Sequence, residues 1–211
     1  MPADLHPDFL GAEALVDQLA DELIASCQLF HSRGWVPATG GNFSARLDER
    51  HLLITASGVH KGELTRADFM IVDVDGKALD AGRKSSYETG LHTQLYRRDP
   101  AIRSVLHVHS IANTVLSRRH PLIRLTGYEL MKILPGIVEP SVTVDIPVFG
   151  NDQDIDRLSR QVDAKMMEPS RMPAYLIAGH GLYTWGGSVR EARHRLEALE
   201  FMFECELWNE R

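Results

Sequence analysis

The segment Val105-Leu106-His107-Val108-His109-Ser110 places two imidazoles two residues apart in an otherwise apolar run. Side chains alternate faces along a strand, so His107 and His109 fall on one face with their rings close together. Neutral imidazole is a common metal ligand, and a catalytic metal usually takes three protein ligands and leaves a position open for water or substrate. His180 is the candidate third ligand. It stands in Ala178-Gly179-His180-Gly181 at the end of an apolar strand, where glycines on both sides let the backbone approach a crowded centre. Taken residue by residue, the pair also fits an ordinary sheet with imidazoles bonded to backbone, and the Gly-His-Gly turn a plain loop. The other histidines (His6, His31, His51, His60, His92, His120, His194) share no such spacing and read as surface or structural, with His92 a candidate supporting group.

Three small-polar loops suggest a second device. Thr39-Gly40-Gly41-Asn42 is one, and Ser57 and Gly58 with Lys61 form another. Ser85 and Ser86 precede Glu88 at the start of a helical pattern, where hydroxyls satisfy free amides and the helix dipole favours an anion. Each alone is a turn or a cap; together they suggest a phosphate cradle built largely from backbone amides. A chain with 23 Lys and Arg against 29 Asp and Glu, net charge -6, needs such a local device. It lacks the basic face that a nucleic-acid partner demands.

These groups must be positioned by a chain of 211 residues, enough for one domain over 1–211 with a real core. No apolar run approaches the roughly 20 residues of a membrane span. The N-terminal segment carries acids where a secretory signal would carry lysines and an apolar stretch, so a cytoplasmic protein is expected. Cys27 and Cys205 lie in helical patterns without metal or redox spacing and are expected as buried reduced thiols.

Leu15, Leu19 and Leu23, with Val16, Ile24 and Phe30, predict a helix over 8–32. FSARL and HLLIT predict a hairpin, FMIVDV a strand, and the segment after Ser85 a helix stopped before Pro100. SVLHVH is then a strand, SIANTVLSR a helix, SVTVDIPVF a strand, and DIDRLSRQVDAKM a helix begun near Asp152 or Asp154. AYLIAGHGLYTWG gives two strands, and Leu196, Leu199, Phe203 and Leu207 mark a long closing helix. The pattern predicts a layered α/β domain with a mixed, largely antiparallel sheet. No GxGxxG follows a strand, which excludes a dinucleotide-binding unit.

TGGNFS, LITASG, SSYE, HVH nineteen residues beyond Glu88, and the HG of His180 occur in an order that resembles the class II aldolase family of metal-dependent sugar-phosphate enzymes. Within it, SGVHKGEL, SYETGLHTQLYR, LHVHS, GYELMK and HGLYTWG are similar to a branch of dehydratases. The resemblance implies a three-layer α/β/α domain and one zinc ion per subunit on His107, His109 and His180. It implies a homotetramer with sites near subunit interfaces, and phosphate contacts at Thr39, Asn42, Ser57, Gly58, Lys61, Ser85 and Ser86. Glu129 matches the dehydratase acid/base, Glu88 the aldolase acid/base, and Tyr128 falls where aldolases carry a tyrosine.

The implied activity is dehydration of 5-methylthioribulose 1-phosphate to 2,3-diketo-5-methylthiopentyl 1-phosphate, a methionine-salvage step. The alternative is an aldolase or epimerase acting on another short sugar phosphate, such as fuculose 1-phosphate or ribulose 5-phosphate. A rival of another class is a non-catalytic scaffold resembling the adducin head, which an intact histidine triad argues against.

Overall fold

The computed structural model describes residues 12–79, 82–167 and 172–210. In chain order these form α1 (Glu13–Ser32), β1 (Asn42–Arg46), β2 (His51–Thr55), β3 (Phe69–Asp73), α2 (Thr89–Arg98), β4 (Ser104–Val108) and α3 (Ile111–Arg119). There follow β5 (Leu122–Leu125), β6 (Val144–Phe149), α4 (Ile155–Met166), β7 (Ala174–Ile177), β8 (Gly181–Gly186) and α5 (Val189–Asn209). The strands make one eight-stranded sheet in the order β3-β2-β1-β4-β8-β7-β6-β5. Its one parallel junction is β6 with β7, so the expected mixed, largely antiparallel sheet is present.

Alternation along the strands divides the core into two layers. Leu106 and Val108 of β4, Leu182 of β8 and Ile146 of β6 pack toward α1, α3 and α5. Val105 of β4, Tyr175 of β7 and Tyr183 and Trp185 of β8 pack toward α2 and α4 with Leu91, Leu95, Leu158 and Val162. Burying such a side chain contributes about 1.5–3 kcal/mol each, enough to fix the strand register that aims the polar groups described below. α3 opens on Ser110, whose hydroxyl accepts from the Asn113 amide at 3.0 Å, and α4 opens on Asp154, which accepts from the Arg157 amide at 2.9 Å. Among the described residues no helix is long and apolar enough to cross a membrane.

Several expectations need correction. The buried face of α1 runs through Val16, Ala20, Leu23, Cys27 and Phe30, while Leu15 is exposed and Leu19 half-buried. The apolar stripe is turned by about one residue because small Ala20 and Cys27 belong to it. The start of that helix, 8–11, lies outside the described residues. An additional strand, β5, pairs antiparallel with β6, and β6 begins at Val144 instead of Ser141. Cys27 is buried and free, but Cys205 is only half-buried.

Candidate metal and phosphate site

β4 ends at Val108, so His109 follows the strand, and its amide donates to the Trp35 carbonyl at 2.7 Å. Even so, the side chains of His107 and His109 converge: their Nε2 atoms are 2.7 Å apart. His180, in the turn between β7 and β8, brings its Nε2 to 3.3 Å from that of His107. The ligand atoms of all three lie within 4.8 Å of one another. Gly181 makes this approach possible, because a Cβ there would run into the Val108 carbonyl and the rings of His107 and His109. Gly41, at φ +80°, does the same opposite the His107 carbonyl.

The donor set fits a metal ion. His107 Nδ1 donates to the Leu182 carbonyl at 2.9 Å, which leaves Nε2 as a lone pair aimed at the other two rings. Nitrogen lone pairs crowded together repel unless a cation lies among them. A tetrahedral ion with bonds of about 2.1 Å spaces its nitrogens about 3.4 Å apart, close to the 3.3 Å between His107 and His180, while the 2.7 Å between His107 and His109 is tighter. Burial, followed by the neighbouring imidazoles, holds His107 well below the usual histidine pKa. Burial, followed by His180 and Lys61, lowers His109 to about 4. Both rings are therefore neutral near pH 7, the form that binds a metal.

Glu88 caps this cluster. Its Oε1 lies 3.1 Å from His180 Nε2 and its Oε2 3.6 Å from His107 Nε2, with the side chain 15% exposed. Asn42, the cross-strand partner of His107, donates through Nδ2 to Glu88 Oε2 at 2.6 Å. On the other side of His107 the Tyr183 ring stacks at 3.9 Å, and Tyr175 stacks on Tyr183 at 4.9 Å. One row across the sheet thus runs Asn42, His107, Tyr183, Tyr175, since each pair is opposite in register.

Thr39, Asn42, Ser57, Gly58, Lys61 and Ser86 line a single cavity of about 250 Å³ that reaches Glu88 and His109. Ser85 faces elsewhere: it bridges to Ala56 and lines an adjoining cavity with Asp75 and Gly76. Lys61 is buried, which lowers its pKa, and its ammonium donates to the Thr39 and Val59 carbonyls at 3.1 and 2.6 Å. The amides of Gly40 and Ser57 are already given to the Pro37 and Lys84 carbonyls. The hydroxyls of Thr39, Ser57 and Ser86 and the Lys61 ammonium stand beside the remaining amides of the cavity.

Glu129 stands apart from this group. It opens the 3-10 turn Glu129–Ile133, is 76% exposed, and accepts from Lys132 Nζ at 2.6 Å. Tyr128 beside it donates to Glu206 Oε1 on α5 at 2.6 Å.

His92 stands in the sequence only as a candidate supporting group, and Ser44 and Tyr183 carry no local signal. His92 follows Glu88 by four residues, which puts both on one helix face, and Ser44 follows Asn42 by two, which puts both on one strand face. Crossing those two spacings would have found the buried group behind the site.

Residues 21–207 match the class II aldolase and adducin N-terminal domain. The chain is 48% identical over 193 residues to methylthioribulose-1-phosphate dehydratase of Pseudomonas aeruginosa, covering 90% of this chain and 94% of the relative. It is 49% identical over 197 residues to the protein of that name from Xanthomonas oryzae pv. oryzae, covering 92% and 87%. The structure of L-fuculose-1-phosphate aldolase from Thermus thermophilus superposes with a TM-score of 0.75 at 24% identity, over 92% of this chain and 96% of that one, a likeness of fold. With the family match spanning most of its length and these relatives covering nearly all of it, the chain belongs to the class II aldolase and adducin family.

Proposed function

We propose that this chain is a zinc-dependent hydro-lyase that converts 5-methylthioribulose 1-phosphate to 2,3-diketo-5-methylthiopentyl 1-phosphate in methionine salvage. The observation that carries the reading is the three-imidazole cluster beside a polar cavity that His109 and Glu88 also line, in a chain close to half identical to proteins named for that reaction. The intact triad speaks against a scaffold without activity, and the dehydratase relatives favour loss of water over aldol cleavage or epimerisation.

In this reading His107, His109 and His180 would hold the ion, which would supply Lewis acidity to the substrate carbonyl. Thr39, Asn42, Ser57, Gly58, Lys61 and Ser86 hold the phosphate, with Ser85 at the edge of the cradle. Glu129 takes the carbon-3 proton and protonates the departing carbon-4 hydroxyl, so one water leaves and the enol becomes a diketone. Glu88, fixed by Asn42, orients a hydroxyl or water beside the ion. Exposed Glu129 suits a site completed by a neighbouring copy in a homotetramer. The chain acts as one domain over 1–211 in the cytoplasm, on a small molecule, without nucleic acid or membrane.

Removing metal with a chelator and reloading with zinc, iron, manganese or cobalt tests the cofactor. One ion per chain with restored turnover is expected, zinc foremost. Full turnover in metal-stripped protein would contradict it.

A further inference from the structure

Behind Glu88 runs a buried chain of side chains that none of the chemistry above requires. Asn42 and Ser44 project from the same face of β1, and the His92 ring of α2 lies between them. His92 Nδ1 is 2.7 Å from Ser44 Oγ, and Nε2 is bonded to Asn42 Oδ1. Ser44 Oγ is also 2.8 Å from the Tyr96 hydroxyl. His92 and Ser44 are fully buried and Tyr96 nearly so.

Burial lowers His92 to about 3, so the ring is neutral and carries one N–H and one lone pair. Two arrangements of the chain are conceivable. With the proton on Nε2, His92 donates to Asn42 Oδ1 and accepts from the Ser44 hydroxyl, and the Asn42 NH2 group faces Glu88. With the proton on Nδ1, the Asn42 amide must turn over to donate to Nε2, and its carbonyl oxygen then meets Glu88 Oε2. Two acceptors at the 2.6 Å separation observed there repel strongly. The first arrangement is the one compatible with a carboxylate at Glu88. It also lets Asn42 Nδ2 reach Ser86 Oγ, at 3.4 Å.

We propose that His92 is a positioning residue: through Asn42 it fixes which oxygen of Glu88 is held back and which faces His180, with the Ser44 hydroxyl donating to Nδ1. This rests on the reading that Glu88 acts beside the metal. Asn42 accordingly serves Glu88 as well as the phosphate cradle.

The test uses the full-length metal-loaded protein. Nitrogen NMR of histidine-labelled protein, with the His92 signal assigned by its loss in His92→Gln, is expected to show a neutral ring protonated on Nε2. A proton on Nδ1 in the unsubstituted chain would overturn the proposal. His92→Leu is expected to lower kcat about 10- to 100-fold, the range that follows when the freed Asn42 amide gives up its hydrogen bond to charged Glu88. KM should stay within about threefold and metal content at one per chain. His92→Gln, which keeps a donor near the Nε2 position, is expected to recover most of kcat. Equal kcat in His92→Leu and wild type, or a loss in step with metal or unrelieved by Gln, would overturn it. Glu88→Gln separates the two levels: if it keeps wild-type kcat the reading of Glu88 fails, and if it alone loses kcat the positioning role of His92 fails.

Discussion

His107 Nδ1 donates to the carbonyl oxygen of Leu182 at 2.9 Å, so the sheet itself sets the tautomer of the central imidazole. Because β8 supplies that carbonyl and also carries Gly181, one strand both orients His107 and admits His180. His107→Ala and His109→Ala are each expected to lose bound metal and turnover together, read by elemental analysis and product formation. Stoichiometric metal in either variant would remove that residue from the ligand set. Gly181→Ala is expected to do the same by crowding, its Cβ falling 2.8 Å from His107 Cε1 and His109 Cδ2.

Glu129 offers a separate test, since it touches none of the triad within one chain. Glu129→Gln is expected to lower kcat by about 10²- to 10⁴-fold with metal content intact. Unchanged turnover would move the proton transfer to Glu88 or Tyr128. If the glutamate serves a neighbouring copy, refolding Glu129→Gln and His109→Ala chains together should restore about a quarter of the sites, since head-to-tail contacts pair the intact halves. Mixtures as inactive as either parent would place Glu129 in its own chain's site.

Lys61 is held by two carbonyls yet lines the cavity, so its removal separates binding from chemistry. Lys61→Met is expected to raise KM about 10- to 100-fold with kcat within a few-fold, as for a lost hydrogen bond to a charged partner. An unchanged KM would make Lys61 a tie between the Thr39 and Val59 loops only.

Glu200 on α5 is fully buried under the start of α3, where Asn113 Nδ2 donates to its Oε1 at 2.7 Å. Burial pushes its pKa up from 4.5 to about 7. Between those values the folded chain binds a proton that the unfolded chain has released, so stability falls as pH rises through that window. The loss is complete above pH 7 and amounts to about 3 kcal/mol. Glu200→Gln is expected to raise the thermal midpoint at pH 8 and to leave it nearly unchanged at pH 4.5. An equal shift at both values would contradict a buried ionisation.

What the sequence made legible was local. Two histidines at strand spacing, a histidine between glycines and small-polar loops each announce themselves within a few residues, and the fold brings them together. The Asn42–His92–Ser44 group spans about fifty residues and depends on α2 lying across β1, a contact that no local pattern carries. The α1 face is hard to read because a stripe through Ala20 and Cys27 is weakly apolar beside Leu15 and Leu19. β5 carries no clear local pattern because Arg124, paired to Asp145 at 2.9 Å, interrupts four residues whose burial alternates.

The central claim is the reaction. Metal-loaded protein given 5-methylthioribulose 1-phosphate, with products weighed by mass spectrometry, tests it directly. Loss of one water, giving the diketone phosphate, is the predicted result. Dihydroxyacetone phosphate with methylthioacetaldehyde, or an isomer of unchanged mass, would contradict it.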